Sequence, residues 1–446
     1  MLHRSLAGTR IELWRLAWPL LIANTTVPLV GLVDTAVVGH LPEAHHMGAV
    51  GLGAATFSAL YLVFASVRMG TTGLTAQAVG AGDGAEIRAS LLRPLAVAIV
   101  VGAVLVALVV PITAAAVVVF GPGQAIADGL RAYVGWRILG APAALATFVI
   151  LGWLLGNQDT RSQLVLLVVI NVSNAALSAG LGLGLGLGVV GVAMGSALAD
   201  VVGVGLGLVL VRRRWRGLPG VFDVPTLLAP RAFGRLFEVN GNLVLRTLLM
   251  EVTFVAFAAI GARQGEITLA ANAALQNLVL LQAYVLDGFA FATEAMVGRA
   301  VGRRSQAALR AAFRAAAQAS AVLAVLIALG FAATTPALVA LLTNIDAVRV
   351  TADAHAIYVA LVPLIGVWAY LLDGVFSGAT RTADLRDASL VATLAFLACA
   401  AALVPFAGNH GLWWAFLVFL GCRVLVLGRR FATIDAAVAH HAGRAG

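Results

Sequence analysis

Apolar residues run through this chain in twelve long blocks separated by short polar stretches. The blocks lie at 13–39, 47–79, 91–120, 130–157, 163–184, 188–211, 232–262, 267–301, 311–343, 350–380, 388–407 and 410–428. A helix needs about 20 residues to cross the hydrocarbon core of a bilayer. Each block therefore predicts a membrane-spanning helix, and the longer ones must tilt, bend or project. The short basic start, Met1 to Arg15, leads directly into a full-length span, so no cleavable leader is expected.

Composition agrees with this pattern. Of the 446 residues, 61% are apolar and 11% charged, with a mean hydropathy of +0.99. Soluble domains run at about 45–50% apolar and about 25% charged. A soluble enzyme, a disordered chain, a nucleic-acid binder and a disulfide-stapled domain are all excluded. The two cysteines, Cys399 and Cys422, lie inside apolar runs and form no metal motif. The net charge of +9 comes with 29 arginines and no lysine.

The arginines set the topology. With the N-terminus inside, the inner stretches and the C-terminal end carry 23 of them, Arg423 included; the outer loops carry Arg131, Arg263 and Arg349. This asymmetry predicts an even number of spans with both termini in the cytoplasm. The inner stretch 212–231, containing RRRWRGLPG, divides the spans into an N-lobe at 1–211 and a C-lobe at 232–428, followed by a tail at 429–446. Gln77-Ala78-Val79-Gly80 recurs as Arg299-Ala300-Val301-Gly302, and Gly156-Asn157-Gln158-Asp159-Thr160 as Gly378-Ala379-Thr380-Arg381-Thr382, both 222 residues later. Pro142 and Pro363 differ by 221. Three landmarks spaced by 221 or 222 residues point to a duplicated six-helix unit with a cavity between lobes that rock.

Charges inside spans cost about 2.5–3.5 kcal/mol each on insertion scales, so each is a functional candidate. The acidic ones are Asp34, Asp200, Glu251, Asp287, Glu294 and Asp373; the basic ones are Arg68, Arg137 and Arg246. Asn24 and Asp34 lie ten residues apart on span 1, roughly on one face, with Pro28 between them as a hinge. A carboxyl in a low-dielectric lobe beside a kink is suited to taking up a proton; the alternative is that Asp34 sits near the outer end of span 1 and only meets interfacial water. Asn171, Asn174 and Ser178 fall at i, i+3 and i+7 on span 5 and form a polar stripe, either for a neighbouring carboxylate or as helix–helix glue. Arg246 and Glu251 are spaced to neutralise each other, or Glu251 could meet a substrate cation. Glu294 reads as a rim charge at the inner end of span 8. Asn24, Glu251, Asp287, Arg246 and Asp373 form the substrate-contact set. No catalytic triad, diphosphate motif or metal cluster stands out, so the chain does not read as an enzyme.

The run Trp18-Pro19-Leu20 through Asn24, Pro28, Asp34 and Thr35 to Gly39-His40-Leu41 resembles the first helix of the multidrug and toxic compound extrusion (MATE) family, in its DinF-like branch. Supporting pieces are Thr75-Ala76-Gln77, Gly80-Ala81-Gly82-Asp83, Gly152 to Arg161, Leu286-Asp287-Gly288 to Glu294, and Asp373-Gly374 to Thr382. The resemblance implies an all-α fold of twelve transmembrane helices in two pseudo-symmetric six-helix lobes. It also implies an antiporter that exports organic, cationic or amphipathic compounds against H+ or Na+. Asp34 occupies the position of that family's proposed coupling carboxylate, and Asn174 matches an asparagine of the same pocket. Where the family pattern carries a second aspartate, this chain has Ser178. One carboxylate weakens a sodium site and suits a single proton, with Asp200 sharing the load.

The expectation is therefore a proton-coupled efflux antiporter of the inner membrane. Its ion-coupling residues are Asp34, Asn171, Asn174, Ser178 and Asp200. It takes a small organic substrate, is surrounded by lipid, acts as a monomer, and uses no cofactor, metal or nucleic acid. The alternatives are sodium coupling, or a flippase for lipid-linked precursors with an arginine-lined cavity.

Overall fold

The computed structural model describes residues 6–39 and 44–443; the side chains at 27–35, 44, 63 and 440–443 are outside the description. The described chain is helical, with no strand. The helices are α1 (Leu6–Gly39), α2 (Ala44–Ala81), α3 (Gly84–Ala107), α4 (Val109–Phe120), α5 (Gln124–Arg137), α6 (Ala141–Gly156) and α7 (Thr160–Ala179). They continue as α8 (Gly188–Trp215), α9 (Val224–Leu227), α10 (Pro230–Ala262), α11 (Glu266–Gly302), α12 (Gln306–Leu342), α13 (Asp346–Gly378) and α14 (Thr382–Gly443). Ten stretches among the described residues are long and apolar enough to cross a bilayer. The 34-residue α1 adds one more. The long α14 is broken at Gly408, with φ 53° and ψ −130°, and supplies two spans. The total is twelve, in the places the apolar blocks predict. Outward-facing Val118, Leu341 and Phe406 are 82%, 84% and 91% exposed, as side chains bathed in lipid would be.

The chain packs as two units, Ile22–Leu236 and Met1–Leu21 with Phe237–Gly446. The start of α1 thus packs with the second unit. In the first unit the core gathers on Trp153, Tyr133, Leu130 and Val149, and the Trp153 indole donates to the Ile87 carbonyl at 2.8 Å. In the second, Trp413, Phe416, Phe419, Phe396 and Phe257 fill the centre.

The internal repeat is written in the backbone of each unit. Methyl groups added at Gly152 and Gly156 of α6 would lie 2.4 Å from the Arg68 carbonyl oxygen and 2.8 Å from that of Thr72, on α2. At Gly374 and Gly378 of α13 they would lie 2.3 Å from the carbonyl oxygens of Ala290 and Glu294, on α11. All four residues of each set are displaced by 222. Lipid gives helices no hydrophobic reason to associate, so close backbone approach through small residues is what joins them. The turns after α2, α6, α11 and α13 also match. Gly82, Gln158, Arg304 and Thr380 each adopt a left-handed φ between 54° and 74°. In each turn the next backbone N–H bonds back five residues, Asp83 to Ala78, Asp159 to Leu154, Ser305 to Ala300 and Arg381 to Phe376. This is the pattern that satisfies the last carbonyls of a helix.

The basic stretch 212–231 is structured and fastened to α3. Arg88, buried, donates to the carbonyls of Pro219 and Leu218 at 2.7 and 3.1 Å. Arg93, also buried, donates to the Leu227 carbonyl at 3.0 Å and pairs with Glu86 at 2.7 Å. Asp223 caps α9, accepting from the Thr226 hydroxyl and backbone N–H. Those two bonds hold its carboxyl below the ordinary aspartate range.

Candidate functional site

In the unit Ile22–Leu236, three helices bring the predicted polar stripe together. Asn171 of α7 donates from Nδ2 to Thr26 Oγ1 of α1 at 2.7 Å. One turn further, Asn174 donates from Nδ2 to Ser196 Oγ of α8 at 2.9 Å. Another turn on, Ser178 is fully buried. Asn174 Oδ1 and Ser178 Oγ are both buried without a hydrogen-bond partner among the described residues. Buried oxygens of this kind are costly unless something donates to them. Directly after Ser178 the helix widens into a π-turn, Gly180–Gly184, a deformation frequent at functional sites.

Asp34 and Pro28 lie on α1, and their side chains fall outside the described residues. Thr26 meets Asn171, and a methyl on Gly182 would lie 3.5 Å from Val37. The described parts of α1 on either side of the undescribed side chains thus both meet the helix that carries Asn171, Asn174 and Ser178. Asn24, one turn before Pro28, is buried in the same helix.

Asp200 stands elsewhere. It sits one turn beyond Ser196 on α8 and accepts from Arg137 Nη1 at 2.5 Å. The Arg137 guanidinium lies over the rings of Phe57 and Tyr61, at 5.4 and 5.5 Å. A carboxylate neutralised in this way is held as a structural ion pair.

In the other unit, the expected neighbour pair of Arg246 and Glu251 does not form. Arg246 reaches across to Asp373 of α13, and Arg423 of α14 donates to the same carboxylate oxygen. Glu251 takes no part. The five-residue spacing on α10 turns the two side chains away from each other, while Asp373 offers Arg246 a charge already sheltered from lipid. Arg423, counted above with the inner arginines, is an interior residue with its side chain 1% exposed. Glu294 is fully buried as well, where α11 and α13 touch, and is no rim charge. Asp287 lies on α11. Sequence reasoning missed Arg423 because an arginine six residues from Arg429 looks like part of the same inner cluster. The one available signal was its position within, not after, the last apolar block.

The family model described as MatE matches residues 19–180. The DNA damage-inducible protein F of Escherichia coli is 40% identical over 417 residues, 93% of this chain and 90% of that protein. The crystal structure of a Vibrio cholerae MATE transporter, VcmN, in its bent form superposes with a TM-score of 0.86 at 19% identity, covering 97% of this chain and 98% of that one. An outward-facing multidrug resistance MATE family transporter superposes with a TM-score of 0.86 at 18% identity, over 96% of each chain.

Proposed function

The chain belongs to the MATE family of membrane transporters, and on that premise we propose that it is a proton-coupled exporter of cationic or amphipathic organic compounds across the inner membrane. The observation that carries this reading is the pair of buried, unpartnered oxygens of Asn174 and Ser178 on the helix that meets α1, the helix of Asp34. A neutral, protonated carboxyl is a hydrogen-bond donor and matches such acceptors; a carboxylate is an acceptor only and is repelled by them. Protonation at Asp34 therefore favours its approach to α7, and loss of the proton favours withdrawal. Pro28 lets α1 bend between these two positions.

In this cycle Asp34 takes a proton from outside, α1 bends, and the substrate leaves. Return to the inward-facing state exposes Asp34 to the cytoplasm, where arriving substrate displaces the proton. Asn171, through Thr26, fixes the inner half of α1 while the outer half moves. Both termini face the cytoplasm; with Arg423 moved to the interior, the arginine asymmetry is still 22 to 3. Ser178, in place of a second carboxylate, favours a proton over a sodium ion, which gains from charged oxygen ligands.

The test is efflux of a fluorescent cation from proteoliposomes in which a pH gradient and a sodium gradient are imposed separately. A pH gradient alone should drive transport, and Asp34→Asn should stop it. Transport driven by sodium at constant pH, or undiminished in Asp34→Asn, would reject proton coupling at this residue.

A further inference from the structure

At one end of the unit Phe237–Gly446, the turn after α11, the turn after α13 and the far end of α14 enclose a cavity of about 190 Å³. Val301, Ile434 and Val438 give it an apolar wall. Among the described residues, the charged groups that line it are Arg304 and Arg381, and no carboxylate does. Arg304 and Ala437 are exposed, so the space is open on one side. Both turns end helices long and apolar enough to cross a bilayer, which puts the cavity at the boundary between lipid and water. A cavity of about 150 Å³ takes a benzene ring, and a phosphate group is smaller than that.

The charges around this space do not balance. The Arg304 guanidinium meets no acceptor among the described residues. Arg381 donates from Nε to Asp384 Oδ2 at 2.8 Å, which leaves its two terminal nitrogens without an acceptor among the described residues. Asp384 and Asp387 between them serve Arg381, Arg386 and Arg430. With Arg304, four guanidiniums stand against two carboxylates. The other half of the duplication is built differently. Positions 82 and 159 match 304 and 381, and hold Gly and Asp. There the chain supplies acceptors of its own, the Leu218 and Pro219 carbonyls that Arg88 meets. Gly82 takes its left-handed φ of 74° freely, whereas Arg304 holds a φ of 54° that disfavours a side chain. A long cation kept in such a conformation, lining a cavity and lacking a counterion, is accounted for by a bound anion.

We propose that this cavity binds the phosphate of an anionic phospholipid, with Arg304 as the anchor and Arg381 as the second donor. The lipid's apolar part leaves along Val301, Ile434 and Val438. Guanidiniums offer phosphate oxygens paired N–H donors, and basic pockets beside membrane helices suit such headgroups. A zwitterionic headgroup carries its own cation, which two guanidiniums repel. Bound there, the lipid ties the ends of α11 and α13 to the end of α14. The site stands apart from the export reading and holds whichever ion drives transport.

Titration of the purified full-length protein in detergent with phosphatidylglycerol, and with phosphatidylcholine in parallel, tests the site, bound lipid being counted by native mass spectrometry. Phosphatidylglycerol should bind saturably and more tightly than phosphatidylcholine. Removing a hydrogen bond to a charged group weakens binding roughly tenfold, which is the loss expected for Arg304→Gly. That variant should fold normally, because glycine suits the left-handed turn. Arg303→Gln removes the same charge from the neighbouring position, which does not line the cavity, and should change binding by about twofold or less. Equal binding of the two lipids, no loss in Arg304→Gly, or an equal loss in Arg303→Gln would each overturn the proposal. Inorganic phosphate lacks the apolar part and should compete poorly. Full displacement of the lipid by an equal concentration of inorganic phosphate would give the site to a free anion and overturn the proposal as well.

Discussion

Gly374→Ala probes what joins α11 to α13. The new methyl would start 2.3 Å from the Ala290 carbonyl oxygen, whereas carbon atoms rest at about 3.5 Å or more from their neighbours. The helices must separate by roughly 1 Å, because both sides of the contact are backbone and no rotamer can yield. Overpacking costs about 1–3 kcal/mol, and a rigid contact belongs at the upper end. Against this, alanine gains about 0.8–1.0 kcal/mol over glycine in a helix. The net expectation is a loss of about 2 kcal/mol. Gly330→Ala on α12, where nothing lies within 4 Å, isolates the propensity gain and should stabilise the protein. Gly152→Ala, whose methyl would start 2.4 Å from the Arg68 carbonyl oxygen, should repeat the loss in the other half of the duplication. Unfolding in mixed micelles, followed by the fluorescence of buried Trp153 and Trp413, measures all three. If Gly374→Ala were as stable as Gly330→Ala, backbone contact would not be what locks the two helices.

Other expectations follow from single contacts. Asp200→Asn leaves Arg137 buried without its counterion and should cost about 3–5 kcal/mol, whereas Arg137→Met with Asp200→Leu should lie close to the wild type; the same unfolding assay separates them. Asn272 exchanges two amide hydrogen bonds with Asn409 and accepts a third from the Trp413 indole, beside the break at Gly408. Interhelical hydrogen bonds in membranes average about 0.6 kcal/mol each, so Asn272→Leu should cost about 2 kcal/mol. The Asp223 carboxyl is held below its unfolded value, so its contribution is complete above the unfolded value and fades as pH falls through the folded one. Limited proteolysis of the 212–231 stretch should therefore quicken on acidification in the wild type, and be quick at every pH in Asp223→Ala.

The spans were legible because lipid leaves no alternative to long apolar helices, and the polar face of α7 because i, i+3, i+7 is a local signal. The duplication was legible in the matched stretches 156–160 and 378–382, but the left-handed turn shared by Gln158 and Thr380 was not, because unlike residues that do not favour that conformation occupy it. The charge pairings were not legible. Arg137 meets Asp200 across 63 residues, and Arg246 meets Asp373 across 127. Helical spacing says which side chains share a face but not which face another helix will meet. The five-residue spacing of Arg246 and Glu251 therefore suggested a partner that packing did not choose.

Coupling in this transporter turns on a proton that leaves Asp34 when substrate arrives. Mixing the purified protein with a fluorescent cationic substrate in weakly buffered detergent, with a pH-sensitive dye present, measures that directly. The wild type should release about one proton per substrate bound, and Asp34→Asn should bind substrate and release none. Equal release by both proteins would place the exchanged proton on another group and contradict the mechanism.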